Sequence, residues 1–185
     1  MYFFTADEHY NHAKIIEYCD RPFSTVEEMN EALISYHNHV VGCNDITVHA
    51  GDFAFGTREE VEPIIKRLNG NHIFVKGSHD RWLGKNYRFM WRKMIEDQFV
   101  VVCHYAMRKW ERGHHGSWQL YGHSHGRCPP VGLQWDVGVD CNGFTPLSFE
   151  KLKTIMSYRS IESESYFIYE DSNVDHLHTD GDSCI

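Results

Sequence analysis

The 185-residue chain has no paired cysteines, no long apolar run and no excess of positive charge. Its six cysteines (Cys19, Cys43, Cys103, Cys128, Cys141 and Cys184) are scattered without a Cys-x-x-Cys, which argues against a disulfide framework or a zinc knuckle and for reduced, packed thiols. No stretch approaches the roughly 18 consecutive apolar residues of a membrane span, so no membrane partner is expected. Met1-Tyr2-Phe3-Phe4 lacks the basic start and long apolar region of a secretion signal, and a cytoplasmic protein is the expectation. The net charge of -8 is unevenly spread. Seven of the 26 acidic residues follow Arg159, where Lys and Arg are absent, leaving 18 basic against 19 acidic residues before it. A near-neutral body neither demands nor excludes a phosphate-bearing partner.

What is present suffices for one α/β domain: 42% apolar and 14% aromatic residues fill a core, and strand-like runs alternate with helical patterns. Strands are expected over residues 1–6, 46–50, 72–76, 99–103 and 135–139. Ser24-x-x-Glu27 and Thr57-x-x-Glu60 have the form of capping boxes, predicting one helix with Val26, Met29, Leu33, Ile34 and Val40 at helical spacing. The second helix should run through Leu68, with Pro63 bending it or confining its first turn. Residues 82–97 are expected as a helix followed by a loop, and a last helix runs from Ser148 to about Ser157. Beyond it, residues 161–185 form an acidic tail. There Tyr166 to Tyr169 could add an edge strand, and disorder is expected from Asp171.

The chemistry gathers at strand ends. Asp7-Glu8-His9 follows Tyr2-Phe3-Phe4, Gly51-Asp52 follows Ile46-Thr47-Val48, and Gly77-Ser78-His79-Asp80 follows Ile73-Phe74-Val75. His104 follows the run from Phe99 to Cys103, and Gly122-His123-Ser124-His125 follows Leu120-Tyr121. One His-x-His is weak evidence. Several such fragments, each closing a predicted strand, point to an enzyme that holds metal.

In order and spacing these fragments resemble the calcineurin-like metallophosphoesterases over residues 1 to about 150. The flanks Gly138-Val139-Asp140 and Pro146-Leu147-Ser148 fit the strand and helix start that close that fold. The resemblance implies a four-layer α/β/β/α sandwich of two mixed sheets flanked by helices, with a metallophosphoesterase domain over 1–160. It implies two divalent cations, Mn foremost, with Fe, Zn or Ni as alternatives. Asp7, His9 and His125 would hold the first, His104 and His123 the second, and Asp52 would bridge them. Carboxylate and imidazole donors suit such ions. A metal-bridging hydroxide would attack a phosphodiester or phosphomonoester in line, with His79 as leaving-group acid or hydrogen-bond donor to a phosphate oxygen and Asp80 orienting its ring. Ser78 departs from the family pattern, where an Asn supplies a ligand to the second metal.

Weaker candidates surround this set. His12 either lines the mouth of the site or caps the first helix. Arg108, in the stretch from Met107 to His115, could meet a phosphate chain beside Trp110, or the stretch is a solvated basic loop. Arg21, Arg81 and Trp82 are substrate-facing or else surface and packing residues, and His37, His39, His49 and His72 are structural. The expected partner is a phosphoester small molecule or nucleotide, with nucleic acid as an alternative and no protein partner evident. The rival readings are a nucleic-acid processing enzyme and a weakened phosphoesterase-fold protein serving as an interaction scaffold.

Overall fold

The computed structural model describes residues 1–160 apart from Asn86. The expectations for 161–185 fall outside the described residues. The strands are β1 (Tyr2–Thr5), β2 (Ile46–His49), β3 (Asn71–Phe74), β4 (Met90–Ile95), β5 (Gln98–Cys103), β6 (Trp118–Tyr121), β7 (Gln134–Asp136) and β8 (Leu147–Ser148). The helices are α1 (Lys14–Tyr18), α2 (Val26–Val40), α3 (Arg58–Ile65) and α4 (Phe149–Ser157).

Side chains alternate across a strand, and that period sorts the first sheet into two faces. Its order is β3-β2-β1-β8, parallel except for β8. Phe4, Val48 and Val75 face a core shared with Val100, Val102 and Leu120 of the second sheet, itself mixed in the order β4-β5-β6-β7. Phe53, Phe74 and their neighbours lie on the other side, against Met29, Leu33 and Ile34 of α2 and Val61 and Ile64 of α3. Each of these side chains contributes about 1.5–3 kcal/mol by leaving water. Phe149, Leu152 and Met156 of α4 close the inter-sheet core. The α/β architecture of two mixed sheets flanked by helices is therefore as expected. None of the described helices is long and apolar enough to cross a membrane.

The outer face of the second sheet is polar. Gln119 and Gln134 sit side by side there, with Gln134 Nε2 donating to Gln119 Oε1 at 2.7 Å and to Met107 O at 2.6 Å. The pair fastens the loop of residues 105–117, which contains a 3-10 turn at Gly113–His115. Trp110 packs against the larger core and donates Nε1–H to Ser117 O at 3.0 Å, so it is a packing residue.

Three local expectations need correction. Residues 82–97 hold no α-helix: a 3-10 turn at Arg81–Leu83 is followed by β4, which pairs with β5 through the two-residue turn Glu96-Asp97. The strand places Trp91, Lys93 and Ile95 on one face, where Trp91 and Ile95 are buried and Lys93 is exposed. The cap of α2 is Thr25, one residue later than expected, with its hydroxyl accepting from Glu28 N–H at 3.1 Å. The box at Thr57 and Glu60 forms as expected, yet α3 stops at Ile65, short of Leu68, with Pro63 inside it.

Candidate metal centre

The chain segments beyond β1 and β2 stay paired after the strands end. Asp7, His9 and Tyr10 donate N–H bonds to the carbonyls of Gly51, Asp52 and Phe53 at 2.9–3.1 Å, so 7–10 and 51–53 run side by side. Gly122 N–H donates to His104 O at 3.0 Å and joins the segments beyond β5 and β6. The two sheets then meet over Asp7: its Oδ2 accepts His123 N–H at 2.7 Å, and Val139 N–H donates to Ala6 O at 3.0 Å. Sites at the carboxyl ends of strands arise from this kind of convergence. Close approach forbids side chains at two glycines. A Cβ on Gly77 would overlap Asp52 Oδ1 and N, and one on Gly122 would lie 2.5 Å from Ala6 Cβ and 2.7 Å from Asp7 Oδ2.

Two donor triads result. Asp7, His9 and His125 form one and Asp52, His104 and His123 the other, each with ligand atoms within 4.8 Å of one another. Asp52 stands between them, with Oδ2 3.2 Å from His104 Nε2 and 3.8 Å from His9 Nε2. Three of the imidazoles are anchored through Nδ1: His104 to Ala50 O at 2.9 Å, His125 to Asp140 Oδ2 at 2.7 Å, and His9 to His12 Nδ1 at 3.3 Å. A carbonyl or carboxylate can only accept, so Nδ1 carries the proton in His104 and His125 and Nε2 presents a lone pair.

The fit to cations rests on what these atoms lack. Asp7 Oδ1, His9 Nε2 and His104 Nε2 are buried without a hydrogen-bond partner, each an expense of about 1–3 kcal/mol unless an outside group satisfies it. Burial pushes the Asp7 carboxyl well above its ordinary range, and the nearby Asp52 and Asp136 carboxylates push it further. Burial also drives His9 down to about 2, against the attraction of Asp52. Burial would raise Asp52 too, but the neighbouring His104 and the bond from the His79 N–H hold it below the usual range. Together the groups are short of positive charge and rich in lone pairs, which suits divalent cations. The backbone is strained at the same residues: Asp7, His9, Asp52, His123 and His125 all have φ between 47° and 69°.

His79 lies beside this cluster, with a half-exposed ring whose Nε2 is 3.9 Å from Asp52 Oδ2. Asp80 does not orient that ring. Its oxygens accept from the N–H groups of Asp52, Phe53, Ala54 and Gly77 at 2.8–3.3 Å and from Trp82 Nε1 at 3.0 Å, so it organises the two loops. Ser78 is present at the site, but its hydroxyl donates to Asp52 Oδ2 at 3.0 Å. His12 packs on Phe55 with centroids 3.9 Å apart and belongs to the mouth, while Ala13 occupies the cap position of α1. Arg108 is exposed on the 105–117 loop. In that loop Glu111 pairs with Arg92, and Arg112 lies 5.1 Å over the Phe99 ring.

Sequence reasoning left Arg21 between substrate-facing and packing roles and gave Asp136, Asp140 and Tyr105 no role. Arg21 is buried, with its fork on Asp140 at 2.8 and 2.9 Å. Asp136 accepts from Ser124 Oγ at 2.7 Å and from Gly138 N–H at 2.8 Å, bracing the His123-x-His125 turn. Tyr105 stands edge-on to His123, centroids 4.6 Å apart. Only Asp140 carried a signal, since it lies in the Gly138-Val139-Asp140 flank.

No protein-family model matches the chain. It superposes on the protein of unknown function AQ665 from Aquifex aeolicus with a TM-score of 0.66 at 20% identity, covering 84% of this chain and 98% of that one. A single mutant of Vps29 from Entamoeba histolytica aligns with a TM-score of 0.44 at 15% identity, covering 74% of this chain and 72% of that one. The uncharacterized protein MJ1445 of Methanocaldococcus jannaschii is 34% identical over 154 residues, 78% of this chain and 85% of that one. At that identity and coverage, the chain belongs to the same family as MJ1445.

Proposed function

We propose that the chain is a metal-dependent phosphoester hydrolase of the calcineurin-like kind, with residues 1–160 as its catalytic unit. The observation that carries this reading is the pair of carboxylate–imidazole triads set against each other in one cleft, with buried donor atoms left unsatisfied. Asp7, His9 and His125 would hold one cation, His104 and His123 the other, and Asp52 would touch both. Bound there, the cations supply Lewis-acid polarisation of a phosphoester and the means to ionise water near neutral pH. Mn is the first choice, with Fe, Zn or Ni as alternatives.

The chain's own residues do the rest. The Nδ1 anchors of His9, His104 and His125 fix which nitrogen faces the cleft. His79 stands half-exposed at the rim, stacked on Phe55, where it can hold a phosphoryl oxygen or give a proton to the leaving alcohol. The cleft opens past His12, Phe55 and Tyr105 without a covering domain among the described residues, which favours a phosphodiester over a monoester. A nucleic-acid substrate draws less support, because Trp110 and Arg112 are engaged in packing.

The test is hydrolysis of matched chromogenic phosphodiester and phosphomonoester substrates by metal-stripped protein titrated with Mn. Metal-dependent turnover, lost in His123→Ala, is expected, and the ratio of the two rates assigns the reaction class. A folded protein inert with Mn, Fe, Zn and Ni would overturn the enzyme in favour of a scaffold.

A further inference from the structure

We propose that Arg21 and Asp140 are positioning residues that pre-form the Asp7/His9/His125 subsite, so that it takes its cation before the Asp52/His104/His123 subsite. This inference rests on the dinuclear reading above and assigns that centre an order of loading.

The Arg21 side chain is wholly buried, between α1 and α2 in the chain. An unpaired guanidinium there would be penalised by several kcal/mol, and its partners are therefore informative. Nε donates to Asp140 Oδ1 at 2.8 Å and Nη2 to Oδ2 at 2.9 Å, the bidentate arrangement that fixes direction as well as distance. The remaining donors reach the backbone of the ligand segment itself: Nη2 to Asp7 O at 2.7 Å and Nη1 to Glu8 O at 2.9 Å. One side chain thus holds the carbonyls of residues 7 and 8 and the carboxylate of residue 140 in a single frame.

Asp140 passes this order on. Its Oδ2 also accepts from His125 Nδ1 at 2.7 Å, which sets that ring's tautomer and rotation so that Nε2 faces Asp7 and His9. Every bond in this frame is made between groups of the chain itself.

In the other subsite the frame reaches Asp52, through Asp80 and the His79 N–H, but not both imidazoles. His104 is anchored by a single carbonyl, and Ser78 offers only a neutral hydroxyl. The ring nitrogens of His123 have no hydrogen-bond partner among the described residues, and its ring is held edge-on against His104 and Tyr105. A ligand that must still be oriented binds with an added entropic penalty.

The experiment is calorimetric titration of Mn(II) into the metal-stripped full chain, with bound metal counted by equilibrium dialysis. The parent should bind in two steps. Arg21→Lys keeps the charge and loses the fork, and Asp140→Asn keeps the shape and loses the carboxylate. Each should weaken the tighter step about 10–100-fold, the range for residues that orient metal ligands, and leave the weaker step unchanged. His123→Ala should remove only the weaker step. Should the buried Arg21→Lys protein not fold, Asp140→Asn decides alone. Variants that melt lower yet titrate like the parent, or that weaken both steps equally, overturn the proposal while the hydrolase stands. A parent that binds no Mn overturns both.

Discussion

Ser78 places a short, neutral hydroxyl against Asp52, and such an oxygen is a poorer donor to a cation than the carbonyl of a longer amide. Ser78→Asn should tighten the weaker Mn step about tenfold, near 1.4 kcal/mol, in the same calorimetric titration. An unaltered isotherm would show that the position does not tune the second subsite. Residue identity was legible at this scale wherever a group closes a strand: Asp7, His9, Asp52, His104, His123 and His125 all converge as their spacing suggested. Asp80 was misjudged because adjacency to His79 suggested a partnership. Its oxygens instead serve N–H groups at 52–54, contributed by a segment 26 to 28 residues away.

At the scale of elements, that carboxylate ties the segment beyond β2 to the segment beyond β3. Asp80→Ala would orphan several buried N–H groups at once and should lower stability by about 3 kcal/mol or more, while weakening both Mn steps. His79→Ala, at a half-exposed ring, should leave the melting temperature nearly unchanged and depress turnover alone. Equal losses of stability in the two variants would contradict this division. Elements were legible where a period or a cap marked them, as for α3's start at Thr57 and for β1, β2 and β3. The failure over residues 82–97 has a physical cause. Met90 and Met94 are exposed on β4, an edge strand, as is Phe89 just before it, so the apolar pattern did not mirror the buried pattern of Trp91 and Ile95.

For the whole molecule, the two cores share one sheet, and a polar chain crosses its helix-facing side. Glu8 Oε1 lies 2.5 Å from His49 Nδ1, and His49 Nε2 lies 3.1 Å from His72 Nδ1, with the His37 ring nearby. Burial, reinforced by His49, lowers both His37 and His72 to about 4. The unfolded chain, with histidines near 6.5, binds protons more readily, so this stabilisation is present above about pH 6.5 and drains away as pH falls toward 4. Burial raises Glu8 to about 8, and that contribution runs the other way, fading as pH climbs through 8. Melting curves of metal-free protein between pH 7 and 4 should fall less steeply for His37→Gln than for the parent. Parallel curves would mean that His37 is not held neutral. The layered α/β plan was legible from alternation, but this chain and the Arg21–Asp140 pair were not. Their members lie 23 to 119 residues apart, and no local pattern announces such contacts.

The left-handed backbone at five of the candidate donor positions has a consequence for any search through sequence space. Selection for folding and selection for binding pull on the same few dihedral angles in opposite directions. A library screened for heat resistance alone, in chelator, should drift toward glycine at His123, where φ is 69° and the ring makes few attachments. There the change relieves roughly 1–2 kcal/mol of backbone strain. In saturating Mn the ranking should invert, with the parent outlasting His123→Gly. A site of this kind persists only under a selection that rewards its use.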